Sequence, residues 1–114
     1  MNENDKTIGW EDFSKIEMRV GSILRAEEFS EAMRPAYKLW VDFGEYGIRK
    51  SSAQITVLYE LEELIGKKVV AVLNFPPKQI ANFMSECLVL GAVDDDRVSL
   101  LGVDKSVENG LRIA

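Results

Sequence analysis

The sequence contains no histidine and only one cysteine, Cys87, among its 114 residues. Histidine is the commonest general base in enzymes and the commonest zinc ligand, so its absence argues against most catalytic and zinc-dependent mechanisms. A single cysteine cannot form an internal disulfide, which is typical of proteins in a reducing compartment. We therefore expect a protein with no catalytic residues, no metal site and no cofactor.

Long hydrophobic runs are also missing. The longest uninterrupted one covers residues 69–73, and it is far shorter than the roughly 20 residues that cross a membrane. Residues 1–6 are mostly polar and do not have the pattern of a signal peptide. We expect a cytoplasmic protein that does not insert into membranes.

Positive charge is in short supply, with 14 lysines and arginines against 19 aspartates and glutamates and a formal net charge of -5. Affinity for nucleic-acid phosphates comes from lysine and arginine side chains that displace condensed counterions. The overall charge therefore argues against a general polyanion binder. A nucleic-acid site in this chain would have to be a local basic patch.

What the sequence does contain is typical of one globular domain covering residues 1–114, with 46% hydrophobic and 29% charged residues. The clearest pattern is an alternation that directs Tyr37, Leu39, Val41 and Phe43 to one face of a strand. Similar arguments predict the other elements: a short amphipathic helix at 10–16, helical turns over 54–65, and strands at 18–29 with a bulge or bend beside Gly21, at 48–52, 69–74, 87–93, 98–103 and 111–113.

Three strands, a helix and two further strands follow the order of the OB-fold, a five-stranded Greek-key barrel. The predicted fold is therefore all-β with short helices, with a barrel core over residues 10–93 and a C-terminal strand extension over 94–114. Ligands of this fold lie across its second and third strands, between the loops that join strands one to two and four to five. Those loops are residues 30–36 and 75–86 here. We expect the N-terminal helix and the extension to form a dimer contact.

The loop after the fourth predicted strand carries the strongest candidate site. Pro76 and Pro77 have no N–H to donate to a sheet, so the strand must end before them, and the first proline favours an extended conformation at Phe75. A stiff loop of this kind presents polar, aromatic and cationic groups at a sheet end. The alternative is that the prolines only end the strand and that Lys78 is a solvated charge. The residues of this group are Asn74, Phe75, Pro76, Pro77, Lys78, Ser85 and Glu86.

A second group of candidates lies at the end of the third predicted strand. Strand alternation puts Arg49 and Ser51 on one face and Lys50 and Ser52 on the other, so at most two of these four can join one site. A charged strand face is often only solvated, which is the plainer interpretation of this group. Two residues that flank the first binding loop would complete a basic rim: Arg34 and Lys38.

Trp40 faces the polar side of the second predicted strand. Its ring could stack on a base, fill a pocket of a partner or be covered by the C-terminal extension. We expect the extension to cover it.

Three further arrangements are weaker candidates for catalysis or metal binding. Cys87 opens an apolar strand without a histidine to activate it, so we interpret it as a small core residue. A dyad of Ser52 and Lys78 would need a buried lysine, which nothing in the sequence indicates. The aspartates at 94–96 are more typical of a hairpin turn than of a divalent-cation site, because three consecutive residues do not face one point.

Several motifs run through the chain in a specific order: Asp12-Phe13, Arg19-Val20-Gly21, Ala36-Tyr37-Lys38-Leu39, Ser51-Ser52-Ala53-Gln54-Ile55-Thr56, Leu64-Ile65-Gly66-Lys67, Asn74-Phe75-Pro76-Pro77-Lys78-Gln79-Ile80 and Ser85-Glu86. With these motifs the chain closely resembles the CsaA-type export chaperones. These are small free-standing members of the tRNA-binding domain superfamily, which also includes the C-terminal domain of some methionyl-tRNA synthetases. The likeness extends from about Trp10 to the C-terminus.

The resemblance implies an OB-fold homodimer that is joined through its terminal segments and has no catalytic activity. For the CsaA-type branch it implies binding of unfolded or export-bound polypeptides, with the export machinery as a further partner. The Ser-Ser-Ala-Gln-Ile-Thr and Phe-Pro-Pro-Lys versions of the motifs mark this branch. For the wider superfamily the resemblance implies tRNA binding on the barrel face, and the matching positions are Arg34, Lys38, Ser52, Asn74, Lys78 and Ser85.

Two binding functions therefore compete for one predicted site, and a purely structural subunit is a third interpretation. In the first, a groove between residues 75–77 and the first binding loop takes extended polypeptides through apolar contacts and backbone hydrogen bonds. In the second, the rim cations contact tRNA phosphates, and Asn74, Ser52 and Ser85 bind sugars or base edges. The complete predicted site consists of Arg34, Lys38, Arg49, Lys50, Ser52, Asn74, Phe75, Pro76, Pro77, Lys78, Ser85 and Glu86.

Overall fold

The computed structural model describes residues 6–114, so all but the last residue of the polar N-terminal segment lies outside the described residues. Two short α-helices and nine strands follow one another along the described chain, with a 3-10 turn at Gly44–Tyr46 between the second and third strands. They are α1 (Trp10–Ser14), β1 (Met18–Glu28), β2 (Tyr37–Asp42), β3 (Ile48–Ala53), α2 (Leu61–Leu64), β4 (Lys68–Val72), β5 (Lys78–Ile80), β6 (Phe83–Ser85), β7 (Leu88–Val89), β8 (Gly91–Asp94) and β9 (Arg97–Leu100).

Five of the strands form one antiparallel sheet in the order β3-β2-β1-β4-β7. The two ends of this sheet approach each other where the backbone N–H of Glu86 donates to the carbonyl of Lys50 at 2.7 Å. The result is a nearly closed five-stranded barrel, which confirms the predicted OB-fold. None of the helices formed by residues 6–114 is long and apolar enough to span a membrane.

The interior of the barrel follows the alternation predicted for the second strand. Tyr37, Leu39 and Val41 of β2 are buried, whereas the residues between them are partly exposed. Phe43, which follows this strand, is also completely buried. A side chain at Gly21 of β1 would place its Cβ 2.6 Å from side-chain atoms of Phe43 and Val41. Glycine is therefore required at this position by close packing of the core.

The predicted irregularity of the first strand is real, but it lies elsewhere. The register between β1 and β2 shifts between Ile23 and Arg25, not beside Gly21. Val20 and Ile23 are both buried although strand alternation directs them to opposite faces. The break in the apolar alternation between Val20 and Ile23 therefore reflects burial on both faces of β1. The bulge itself did not alter the pattern of apolar residues.

The helical turns predicted over residues 54–65 are largely replaced by irregular chain, and α2 has a single turn. The carbonyl of Tyr59 accepts a hydrogen bond of 2.8 Å from the hydroxyl of Tyr37, so a tertiary contact uses a group that a longer helix would need. Leu64 of α2 is completely buried, whereas the following Ile65 is exposed. Gly66 follows with a φ of 84°, the left-handed conformation expected of a helix-ending glycine.

Residues 75–86 were expected to form a loop, and they contain the hairpin β5-β6 instead. Its turn includes Ala81 with a φ of 50°. Because this turn contains no glycine, the sequence lacked the usual hairpin signal. The strand predicted over 87–93 is divided into β7, which pairs with β4, and β8, which pairs with β9. The turn predicted at the three aspartates connects β8 to β9, as expected.

The two terminal segments lie near the start of β1. Gly110 and Ile113 donate backbone hydrogen bonds to Val20 and Met18 at 2.7 and 2.9 Å, so the end of the chain runs along this strand. The strand predicted over 111–113 is reduced to an isolated bridge between Arg19 and Arg112. Helix α1 is shorter than predicted and buries no residue.

Candidate ligand-binding site

The proline-containing loop borders an open apolar cleft at one end of the barrel. The cleft has a volume of about 320 Å³. Two of its apolar lining residues are exposed, Phe75 to 57% and Leu88 to 47%. We call this region the corner cleft, and its lining residues are Phe75, Pro76, Lys78, Ser85, Glu86, Cys87 and Leu88.

Ser85 and Glu86 attach the corner cleft to strand β3. The backbone N–H of Lys50 donates to the Glu86 carboxylate at 2.9 Å, and the backbone N–H of Ser52 donates to the Ser85 hydroxyl at 3.1 Å. These two side chains therefore take the place of a neighbouring strand along the edge of β3. The corner lies next to the third strand, where the predicted site requires it to be.

Arg49 lies apart from Lys50, as the alternation of the strand predicts. Its guanidinium donates to the carbonyls of Leu73 at 3.0 Å and Tyr46 at 3.4 Å, at the end of the barrel. Ser51 on the same face is 1% exposed. Arg49 thus ties β3 to the end of β4, and its role toward a ligand stays a prediction.

Asn74 also has partners within the chain. Its amide nitrogen donates to the carbonyl of Lys15 at 2.6 Å, and its amide oxygen accepts from the backbone N–H of Glu17 at 2.9 Å. These bonds hold the connection between α1 and β1 against the end of β4. The structure therefore places Asn74 beside the segment between α1 and β1, and its role toward a ligand stays a prediction.

The outer face of β2 and β3 carries a cluster of aromatic rings and cations. The Phe83 ring from β6 packs edge-on against Trp40 and Phe29, with centroid separations of 5.8 and 5.4 Å. The ammonium groups of Lys38 and Lys50 lie over the Phe83 ring at 5.5 and 5.1 Å. We call this region the cationic face, and its members are Arg25, Phe29, Lys38, Trp40, Lys50 and Phe83.

Trp40 is covered differently from the prediction. The Phe83 ring of the β5-β6 hairpin packs on it, and the Arg25 guanidinium lies 4.4 Å from its ring centroid. The expected cover by the C-terminal extension was wrong, because the extension turns toward the start of β1. Trp40 therefore lies between Arg25 and the Phe83 ring and is partly exposed on the cationic face.

Carboxylates reduce the positive charge of the cationic face. The Lys38 ammonium lies 3.9 Å from the Glu31 carboxylate, and Arg25 forms an ion pair with Glu27. A hydrogen bond from its own backbone and the charge of Lys38 lower the pKa of the Glu31 carboxyl below its ordinary value. Within residues 6–114, Lys50 has no carboxylate at ion-pair distance.

Three further predicted residues are Ser52, Lys78 and Arg34. Ser52 is directly opposite Lys38 in the β2-β3 ladder, so both are on the cationic face. Lys78 is opposite Ser85 in the β5-β6 hairpin and is exposed at the corner cleft. Arg34 is exposed in the loop before β2. The single predicted site is therefore two neighbouring surfaces, joined along β3.

The sequence interpretation missed three members of the cationic face: Arg25, Phe29 and Phe83. An available signal for Phe83 was its position, because an aromatic residue in a predicted polar loop often has a tertiary partner. Arg25 and Phe29 gave no comparable signal, since their contacts with Trp40 and Phe83 join separate parts of the chain.

Cys87 lies beneath the corner cleft and is almost completely buried. Burial raises the pKa of its thiol to about 12, so the reactive thiolate is scarce at neutral pH. The interpretation of Cys87 as a core residue is confirmed. Residues 6–114 contain no group of three or more cysteine, aspartate or glutamate side chains arranged to hold a metal ion.

Comparison with known proteins gives a consistent set of relatives. A family model described as a putative tRNA binding domain matches residues 18–112. A CsaA chaperone protein from Picrophilus torridus is 56% identical, with a TM-score of 0.89 over 95% of this chain and 100% of that one. The chaperone CsaA of Bacillus anthracis is 49% identical, with a TM-score of 0.91 over 95% of this chain and 99% of that one.

The curated relatives are much longer proteins. The methionine–tRNA ligase of Caldanaerobacter subterraneus is 38% identical over 104 residues, which is 91% of this chain but 16% of the ligase. The chain therefore spans about one sixth of the length of the ligases it matches.

Proposed function

Because this chain belongs to the tRNA-binding domain family and to its CsaA-type branch, we propose that it is a non-catalytic binding protein that acts as a chaperone. Its ligands would be unfolded or export-bound polypeptides, held in the cytoplasm before they reach the export machinery. Sequence identity supports this, since the chain is 49% and 56% identical to the two CsaA structures and 38% identical to the matched part of the ligase.

The corner cleft is the observation that carries this proposal. Phe75 and Leu88 are exposed and both line the cleft, beside two prolines that limit movement of the loop. Exposed apolar side chains in a stiff concave site bind apolar side chains of a ligand without a large ordering cost. An unfolded polypeptide offers such side chains, whereas a folded protein buries them.

The direct test is binding of a permanently unfolded probe to the full chain. We expect reduced, carboxymethylated α-lactalbumin to bind with a dissociation constant of about 1–10 μM, and native α-lactalbumin to bind at least about tenfold more weakly. Fluorescence anisotropy of the labelled probe measures both. Equal affinity for the two forms, or no binding of the unfolded form at these concentrations, would contradict the proposal.

We further propose that two copies associate through their terminal segments. Trp10 is 86% exposed on a helix that buries none of its residues, and Ile8 and Leu111 are exposed as well. A five-residue helix is too short to be stable without packing partners. Sedimentation equilibrium should give twice the mass of one chain, and Trp10→Ser should shift the association to higher protein concentration. A monomer in both forms would exclude this assembly.

The second candidate function is binding of structured tRNA, and the cationic face favours it. Lys38 and Lys50 would contact phosphates, with Lys78, Arg34 and Arg49 as further cations, and the hydroxyls of Ser52 and Ser85 would contact sugars or base edges. Aromatic side chains beside lysines are common where proteins bind nucleic acids. The family match supports this candidate. Filter binding of labelled tRNA tests it, and no retention at micromolar protein would exclude it.

A purely structural subunit is the remaining interpretation. It predicts that neither an unfolded polypeptide nor tRNA binds at micromolar concentration. The two binding measurements above therefore also test this interpretation.

A further inference from the structure

Phe83 is at the centre of the cationic face although its own side chain is only 6% exposed. Lys38 comes from β2 and Lys50 from β3, yet both ammonium groups lie within 5.5 Å of the centroid of this one ring. Phe29 and Trp40 pack edge-on against the same ring. A single buried side chain therefore contacts one cation from each of two neighbouring strands.

A lysine side chain does not hold such a position unaided. Its charge is on a flexible four-carbon stem, and fixing it costs rotamer entropy. The negative face of an aromatic ring attracts an ammonium group within about 6 Å and offsets part of this cost. The contribution of Phe83 is greatest for Lys50, because Lys38 also has the Glu31 carboxylate and the Phe29 ring nearby.

We propose that Phe83 is a positioning residue that holds Lys38 and Lys50 as a pair of cations for a phosphate-containing ligand. The inference rests on the second candidate function, tRNA binding, and adds to it a residue that does not contact the ligand itself. Two cations fixed before binding reduce the ordering cost of association. The pair therefore raises phosphate affinity without raising the net charge of the protein.

The arrangement can be measured without any ligand. In the proton NMR spectrum of the full chain, we expect the ε-methylene signals of Lys38 and Lys50 to be shifted upfield by the ring current of Phe83. In Phe83→Leu both signals should return toward the position of an ordinary exposed lysine. Unshifted signals in the native protein would overturn the inference, whether or not the protein binds tRNA.

Binding then tests the consequence with two probes, unfractionated tRNA and inorganic tripolyphosphate. Phe83→Leu should weaken both about tenfold and reduce the salt dependence of tRNA binding by about one phosphate contact. Replacing Phe83 by 3,4,5-trifluorophenylalanine keeps the shape of the ring and weakens the negative charge of its face, so it should weaken binding about threefold. A role in packing alone predicts native affinity for this variant.

Phe43→Leu is the matched control. Phe43 is completely buried in the barrel core, so its replacement removes a ring of the same kind from a different place. We expect it to lower the melting temperature without changing the salt dependence of binding. An equal change of salt dependence in Phe43→Leu and Phe83→Leu would overturn the inference.

The outcomes separate this inference from tRNA binding itself. Tripolyphosphate affinity that depends on Phe83, with no tRNA binding, supports the positioning role and excludes the tRNA function. If the lysine signals are shifted but Phe83→Leu binds both probes as the native protein does, the positioning role is overturned and the tRNA function is not affected.

Discussion

The cationic face and the corner cleft are neighbours along β3, yet they are built by different means. On the cationic face, buried aromatic rings hold charged side chains at the surface. At the corner cleft, two prolines and hydrogen bonds to the backbone of β3 fix a loop that leaves apolar side chains exposed. The first surface suits a phosphate-bearing ligand and the second an apolar one. The contrast underlies our proposal that one barrel offers two ligand chemistries on adjoining surfaces.

The largest expected effect comes from reversing the charges of the cationic face. Lys38→Glu combined with Lys50→Glu should weaken tRNA binding about 100-fold, because each contact with a phosphate becomes a repulsion. Affinity for the unfolded probe should change less than about twofold, since the cleft lining does not include either residue. Filter binding and fluorescence anisotropy measure the two affinities.

A charge-matched variant controls for the net charge of the protein. Lys15→Glu combined with Lys105→Glu makes the same change of charge at exposed positions outside both regions. This variant should weaken tRNA binding less than about fivefold. If it weakens tRNA binding as much as the first pair, the cationic face has no special role.

The second effect isolates the corner cleft. Phe75→Ala should weaken binding of the unfolded probe about tenfold, because a large apolar contact is lost from one wall of the cleft. Affinity for tRNA should stay within about twofold. Val93→Ala is the control, since Val93 is 73% exposed on β8 and does not line the cleft. Loss of both ligands in Phe75→Ala would mean that the two surfaces form one site.

The third effect concerns the bond that joins the two regions. Glu86→Ala leaves the backbone N–H of Lys50 without its carboxylate partner, which should lower the free energy of unfolding by about 1–2 kcal/mol. Glu63 is an exposed glutamate of α2, and Glu63→Ala should change the free energy of unfolding by less than about 0.5 kcal/mol. Urea denaturation measures both variants. Equal stability of the two variants would show that the hydrogen bond between Lys50 and Glu86 contributes little to closing the barrel.

The smallest expected effect sharpens the boundary between the regions. Lys78 lines the corner cleft but carries a charge. Lys78→Ala should weaken tRNA binding about threefold through a lost phosphate contact and leave binding of the unfolded probe nearly unchanged. Equal loss of both ligands would contradict the division between a charged and an apolar surface.

Local patterns carried enough information to predict much of this structure from the sequence. The alternation of β2 identified which side chains enter the barrel, and the prolines identified where β4 must end. These signals depend on neighbouring residues, so the order of the barrel strands and the place of the corner followed from them.

The features that the sequence did not reveal depend on contacts between distant segments. The β5-β6 hairpin turns at Ala81 without a glycine, and α2 is shortened by a contact from Tyr37 to the carbonyl of Tyr59. The cationic face joins Arg25, Trp40 and Phe83, which come from three strands. The bonds by which the Asn74 amide holds the link before β1 were not visible either, and its predicted role toward a ligand stays a prediction. The polar character of these residues was visible, but their partners were not.

The most direct test of the two-surface account is a pair of titrations at 50 and 200 mM salt, one with labelled tRNA and one with the labelled unfolded probe. With about three phosphate contacts, tRNA affinity should fall roughly 20- to 40-fold between these conditions, whereas affinity for the unfolded probe should fall less than about twofold. The same salt dependence for both ligands would contradict the account, because one surface would then bind them both.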